Sequence, residues 1–584
     1  MSKSIAITGS GIICAIGNDK KTVAESLHNH KSGIGTMQHL SSIHKELPVG
    51  EVKQSNEELK SLLDISSGVE VSRTSLLGAY ALRQAIDEAG LAVEQLKGKR
   101  VTLISGTTVG GMDVTERNYH SMVEGDKEAL KFVAKHDCGS NSEEIAKLIG
   151  LSCEVTTIST ACSSALNAII LGARMLLANE TDYVLAGGSE SLSVFHLNGF
   201  NSLLILDHEQ CRPFDATRQG LNLGEGAAYV VLERKEDIKR DVDIQAFVRG
   251  YGNRCDAFHQ TATSPDGEGA FLAMKDALEM GHISADEIDY INAHGTGTPD
   301  NDRSESAAIK RLFGSNIPCV SSTKSYTGHT TSASGSIETV ISIIAMQENF
   351  VPVNILWKLQ DEDCITPQIV TEHKALRNVL CNSFGFGGND SSLLLSTSEF
   401  KIDEILVKET RVLAEYEVTD PEELKELREF VSPIESRRMG KLMKASLLTS
   451  LKCLKNAGNI VPDAIIVATK SGMLENGEKM LDSLDVNGEE SISPTQFMQS
   501  THNTIAGSLA IRLKSHGYNI TYSQGEDSLA WAIKDANKLI SEGKANTVLV
   551  GLHDECPPKF RTFHEALGLD VPLDIYSKSI LLTK

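Results

Sequence analysis

Short β-branched runs that end in glycine alternate along this chain with longer stretches whose apolar residues recur at helical spacing. Residues 4–13 read as a strand ending in a glycine turn, and 18–30 as a helix stopped by Lys31-Ser32-Gly33. The spacing predicts a helix over 73–89 closed by Gly90, a strand over 101–105 opening onto Gly106, and a helix over 142–149. The stretch from Glu154 to Ile170 passes from β-branched to small apolar residues, so it reads as a buried strand, a turn at Cys162 and a helix running to Leu177. Further strands are expected at 182–188, 227–233, 290–293, 318–322, 379–383 and 391–396, with helices at 269–280 and 332–346. Strands apolar on both faces, interleaved with helices, make an α/β fold whose sheets lie between helical layers.

From about Glu399 the pattern breaks into charge, through Lys401, Asp403, Glu404, Lys408 and Glu409, which marks a domain boundary. The tail beyond this boundary copies an early part of the chain. The helix at 441–457 with Gly458 repeats 73–89 with Gly90, and 464–468 repeats 101–105. The segment 502–515 repeats the 142–150 region, and 535–551 repeats 173–187. Four elements in one order make a repeat of roughly 150 residues. The position of Cys162 falls, in the copy, within Tyr522-Ser523-Gln524-Gly525-Glu526-Asp527-Ser528, which has no thiol.

Composition narrows the function. With 584 residues the chain is long enough for several domains, and a net charge of -22 argues against bulk nucleic-acid binding. A local basic patch is still open to an acidic partner. The 11 cysteines are scattered without a CxxC pair, which argues against a disulfide framework or a zinc site and suits the cytoplasm. No signal peptide and no membrane span are expected. The N-terminal Gly9-Ser10-Gly11 starts like a dinucleotide fingerprint, but Cys14 stands at the third glycine position.

Three strand-end loops carry candidate chemistry. Cys162 sits where a helix begins, a position whose unpaired N–H groups favour a thiolate; a buried cysteine acting as a small hydrophobe is the alternative. His294 and His329 lie in glycine-rich loops after strands, where α/β folds place their reactive groups. One thiol and two imidazoles suit carbon–carbon bond formation on thioesters: the sulfur takes an acyl group, and the imidazoles stabilise the charge that develops as a malonyl group loses carbon dioxide.

Thr160-Ala161-Cys162-Ser163-Ser164, Asn292-Ala293-His294-Gly295-Thr296-Gly297-Thr298-Pro299, Lys324-Ser325-Tyr326-Thr327-Gly328-His329 and Asn382-Ser383-Phe384-Gly385-Phe386-Gly387-Gly388 closely resemble the motifs of elongating β-ketoacyl-[acyl carrier protein] synthases. The resemblance implies a thiolase-like α-β-α-β-α duplicated fold, with 1–245 as the half bearing the nucleophile and 246–398 as the half bearing the histidines. A linker at 399–410 and a third, half-thiolase-like α/β domain at 411–584 would come after them. It implies Cys162 as nucleophile, His294 and His329 as the decarboxylating and condensing pair, and Lys324 paired with Glu338 to order the His329 loop. It also implies an oxyanion hole from the N–H groups of Cys162 and Phe386, with Phe386 as a gate for the acyl chain. Thr296 and Thr298 would contact the phosphopantetheine arm, and Arg212 with Arg218 would form the basic patch that docks an acyl carrier protein. No cofactor beyond the carrier-borne arm is expected, and a homodimer or an internal pseudo-dimer through the ketosynthase-like halves is. The tail, with Gln499-Ser500-Thr501-His502-Asn503-Thr504-Ile505-Ala506-Gly507, is similar to the ketosynthase-like domain of aryl polyene and flexirubin-type clusters.

Two stretches depart from the family pattern, Gly387-Gly388-Asn389-Asp390 and Arg218-Gln219-Gly220-Leu221. Both bear on the acyl site and so on chain-length preference rather than on the chemistry. The rival reading is a non-catalytic chain-length factor or scaffold; the missing thiol of the tail motivates it, and the complete motif set of the first domain argues against it.

Overall fold

The computed structural model describes residues 2–437 and 439–584. Its main strands in chain order are β1 (Ile5–Cys14), β2 (Val101–Gly106), β3 (Glu154–Ile158), β4 (Tyr183–Glu190) and β5 (Gly226–Arg234). Next come β6 (Ala246–Cys255), β7 (Tyr290–Asn292), β8 (Cys319–Ser321), β9 (Asn378–Gly385) and β10 (Asn389–Ser396). The tail holds β11 (Arg411–Val418), β12 (Ala464–Ala468), β13 (Tyr518–Tyr522), β14 (Thr547–Glu555) and β15 (Ile575–Thr583). The helices that matter here are α1 (Arg73–Glu88), α2 (Cys138–Leu148), α3 (Ser164–Leu177), α4 (Pro299–Phe313), α5 (Ser334–Glu348), α6 (Lys441–Asn456), α7 (Thr504–Leu513) and α8 (Ser528–Ser541).

Among the described residues these strands join in one sheet, ordered β11-β15-β14-β12-β13-β3-β2-β4-β5-β1-β6-β10-β9-β7-β8. Each group of five has the same internal order, third-second-fourth-fifth-first, with the second, third and fourth strands parallel and the fifth antiparallel to its two neighbours. The repeat seen between the tail and the first half therefore extends to a third copy at 246–396. Sequence spacing did not reveal that copy, because its second and third strands are only three residues long.

Helices α3 and α5 form the central layer. All residues of α3 are buried, so it is apolar all round rather than along one stripe. Gly335 lets α5 close on it: a Cβ there would fall 2.6 Å from that of Leu166. Helix α2 starts at Cys138, one turn before the expected 142.

The tail docks on the first half by strand pairing. Tyr522 of β13 pairs antiparallel with Ile158 of β3, flanked by Ser159 N–H to Thr521 O at 3.0 Å and Ser523 N–H to Thr157 O at 2.9 Å. Arg174 of α3, 1 % exposed, is ion-paired to Asp535 of α8 and to Glu542 at 2.9 Å, and Lys538 reaches Glu180 at 2.9 Å. The expected linker lies on this seam: Ile402–Asp403 pairs with Ser2–Lys3, and Ile405 N–H donates to Leu177 O at 3.0 Å. The tail thus packs against the first half through a shared strand edge and buried ion pairs. Among the described residues no helix is long and apolar enough to cross a membrane.

Candidate active site

The thiol stands on a sharp turn between β3 and α3. Ala161 takes φ 52°, a left-handed conformation that costs an L-residue about 1–3 kcal/mol and persists only where its surroundings enforce it. Ser164 enforces it, accepting from Thr160 N–H at 2.8 Å and donating to Ala161 O at 2.6 Å. Cys162 is 7 % exposed, and the backbone N–H groups of Phe386 and of Cys162 itself favour the charged form of its sulfur. Burial pushes its pKa up to about 12, against the opposing pull of Lys324 and of the Phe386 N–H. The expected thiolate is therefore a thiol at rest. A three-residue 3₁₀ turn, Ala161–Ser163, precedes the helix proper, and desolvation outweighs the backbone dipoles.

Both imidazoles reach this sulfur from the second half. His329 Nε2 lies 3.1 Å from Cys162 Sγ, and its Nδ1 lies 2.9 Å from Ser334 Oγ. His294 and His329 meet edge to face with ring centroids 5.2 Å apart. Burial, then the charge of Lys324, holds both well below the ordinary 6.5, with His329 a further depressing neighbour of His294, so both are neutral at pH 7. Lys324 Nζ lies 3.3 Å from His294 Nδ1 and donates to His294 O at 2.5 Å. An ammonium group offers only donors, so His294 Nδ1 must accept and the ring proton sits on Nε2. Lys324 is also ion-paired to Glu338, whose pKa burial pushes up to about 7.

Glu305 completes the His294 loop and was not among the expected residues. From α4 it accepts from His294 N–H at 2.9 Å and Gly295 N–H at 2.8 Å. Glutamate in a charged helix gives no sequence signal of this; only the fold aims it at the loop.

Sγ and one ligand nitrogen of each imidazole lie within 4.8 Å of one another, the one such grouping among the described residues that could hold a metal ion. The Lys324 ammonium against His294 Nδ1 sets a positive charge beside it, which disfavours a cation there.

The trio opens into a cavity of about 310 Å³ lined also by Thr296, Thr298, Phe200, Phe384 and Phe386. The two threonine hydroxyls are 2.9 Å apart at its wall. The Phe386 ring stacks on Phe200 at 5.9 Å. The docking pair behaves differently. Arg218 is 6 % exposed and ion-paired to Asp302 at 3.3 Å and Asp361 at 2.8 Å, so its charge is neutralised inside the fold. Arg212 is half-buried and donates to Glu209 at 2.7 Å and to Thr217 O at 3.2 Å. The two do not form an open basic patch: a sequence shows charge but not the carboxylates folded against it.

Three family models match along the chain: Beta-ketoacyl synthase, N-terminal domain, at residues 2–238; its C-terminal domain at 245–357; and a second N-terminal-domain model at 413–576. The 3-oxoacyl-[acyl-carrier-protein] synthase 2 of Coxiella burnetii is 34% identical, over 68% of this chain and 98% of its own length. Among solved structures, the ishigamide ketosynthase/chain length factor is 30% identical with a TM-score of 0.64, covering 68% of this chain and 100% of that one. The PfaC ketosynthase-chain length factor shares the fold over 100% of this chain and 78% of its own, with a TM-score of 0.78 at 18% identity. A thiol and two neutral imidazoles converging from two like halves, each matched by its family model, make this chain a member of the β-ketoacyl synthase family, a condensing enzyme with a second N-terminal-type domain behind the catalytic pair.

Proposed function

We propose that Cys162 takes an acyl group from the phosphopantetheine thioester of an acyl carrier protein and that His294 and His329 then condense it with a malonyl thioester. The observation that carries this reading is the 3.1 Å approach of His329 Nε2 to a buried sulfur faced by two backbone N–H groups. In the transfer step the thiol proton moves to His329 Nε2 as sulfur attacks the thioester carbonyl. The oxyanion forms against the N–H groups of Cys162 and Phe386, and the departing carrier thiol takes the proton. In the second step the malonyl C–C bond breaks, carbon dioxide leaves, and its electron pair becomes an enolate. His294 donates from Nε2–H to the enolate oxygen. The Ser334 hydroxyl serves either tautomer of His329, so Nε2 accepts a proton in the first step and donates a hydrogen bond in the second. The enolate carbon attacks the acyl-cysteine, the sulfur leaves and regains a proton from solvent, and a 3-oxoacyl thioester departs. Each step uses side chains and backbone of this chain; the thioester arm comes with the carrier, and Thr296 and Thr298 border its approach.

Cys162→Ala tests the reading: loss of acyl transfer supports it, and wild-type transfer overturns it. Eleven free cysteines fit a reducing, cytoplasmic setting. A second reading concerns the tail alone, as a chain-length factor fused in place of a partner subunit. Its Ser471, Met473, Thr501 and His502 close a small cavity with Val109, Phe195 and His196 of the catalytic body. Filling that space with Thr501→Phe would shorten the products; an unchanged length distribution removes this role.

A further inference from the structure

The loop that supplies the second oxyanion donor is built almost without side chains. Gly387 and Gly388 both take left-handed φ values, 83° and 76°, and the loop is closed by Gly388 N–H donating to Gly385 O at 3.0 Å, on the peptide that carries the Phe386 N–H. The next peptide group, 386–387, is held instead by its surroundings, and both of its hydrogen bonds lead into the tail. Asn503, at the start of α7 and 1 % exposed, donates from Nδ2 to Phe386 O at 2.8 Å. The N–H of the same peptide group, that of Gly387, donates to Gln260 O at 2.7 Å, and Gln260 donates in turn from its side chain to Ser508 Oγ of α7 at 3.0 Å. One peptide group is thus gripped at both its oxygen and its nitrogen by way of a single tail helix. Gly507 makes the approach possible: a Cβ there would stand 2.7 Å from Gly387 O. The ring of Phe386 leads the same way, stacking on Phe200, whose ring meets Phe497 of the tail at 5.1 Å.

We infer that Asn503 is a positioning residue for acyl transfer: the tail, which has no nucleophile at its own turn, steadies the oxyanion site of the catalytic body by holding the 386–387 peptide, the one that follows the Phe386 N–H and shares its Cα. This rests on the assignment of Cys162 as the acyl acceptor. Holding the donors in place before reaction is what gives an oxyanion hole its effect, so the loss falls on the step that builds charge against the Phe386 N–H. Decarboxylation of a malonyl thioester draws on His294 and His329, which Asn503 does not touch.

The test uses the full chain with Asn503→Ala and Asn503→Asp, the second nearly isosteric but unable to donate when ionised. Acyl transfer from an acyl-carrier thioester is followed by intact-protein mass, carbon dioxide release from a malonyl thioester is measured separately, and thermal midpoints are recorded. The expected result is a 10- to 100-fold slower acyl transfer in both variants, with decarboxylation within about twofold of the unsubstituted chain. Transfer within twofold in both variants overturns the inference. So does a parallel fall of transfer, decarboxylation and thermal midpoint, which would make Asn503 an ordinary packing contact. Absence of any adduct on the unsubstituted chain would strike the Cys162 assignment itself.

Discussion

The turn at 160–164 and its copy at 524–528 share one backbone and differ in almost every chemical respect. Thr160 and Gln524 have φ and ψ of -121° and 44° against -114° and 46°. The next residue is left-handed in both, Ala161 at 52° and Gly525 at 56°. Ser164 and Ser528 accept the same backbone N–H, at 2.8 and 2.7 Å. Where the first turn presents Cys162 to two imidazoles, the copy presents Glu526, 91% exposed and 3.3 Å from Lys470. The turn is therefore a folding device that ends a strand and starts a helix, and it survives without a reaction. Chemistry needs a second half packed over it, and among the described residues none covers Glu526 on the copied turn. What the tail keeps instead is the edge that joins it to the body, with β13 against β3 and α8 against α3.

The comparison breaks most visibly at the sulfur. Cys162→Ala should lower acyl transfer by at least about 10³-fold, whereas Glu526→Cys, which places a thiol on the copied turn, should gain no adduct. Mass spectrometry of both variants checks this, and a competent thiol at 526 would mean that the turn alone suffices. His294→Ala or His329→Ala should slow decarboxylation by about 10²–10⁴-fold, read as carbon dioxide release.

The shared edge comes next. Arg174→Met leaves the buried Asp535 without its counter-charge and Glu542 with Lys544 alone, at 3.2 Å, at an expected cost of about 3–5 kcal/mol, measured by denaturant midpoint; a change under 1 kcal/mol would mean the seam is held elsewhere. The catalytic imidazoles give a pH signature the copied turn lacks. Their pKa values lie below the ordinary 6.5, so their contribution to stability is complete above that value and is lost as pH falls through their folded-state values. Condensation should show no imidazole inflection near pH 6.5; one there would mean a charged, solvated histidine. At the small end, Glu526→Gln should shift stability by no more than about 0.5 kcal/mol, since it removes only an exposed pair.

Much of this site was legible in the residues. Cys162, His294 and His329 announce themselves because reactive types sit among small residues and glycines at strand ends. Lys324 and Glu338 followed from the resemblance, and Phe386 likewise. The rest depends on what folds against what. Arg218 reads as a surface charge until Asp302 and Asp361 are placed beside it. Glu305 is one carboxylate among many on a charged helix. The thiol pKa reverses the expectation because burial cannot be read from the turn that produces it. Asn503 stood in a motif already noticed, but its use lies in a contact with a loop 117 positions away. The tail strand β11 comes after a charged stretch and is exposed along much of its length, so it lacks the apolar run that marked its counterpart β1.

The central claim is that the sulfur of Cys162 is the acyl acceptor, served by imidazoles from the neighbouring half. Peptide mapping after incubation with an acyl-carrier thioester tests it most directly. The account predicts a single acyl adduct, on the peptide containing Cys162, that disappears with formation of a 3-oxoacyl product when malonyl thioester is added. An adduct on any of the other ten cysteines, or product formed with Cys162 unmodified throughout, would contradict it.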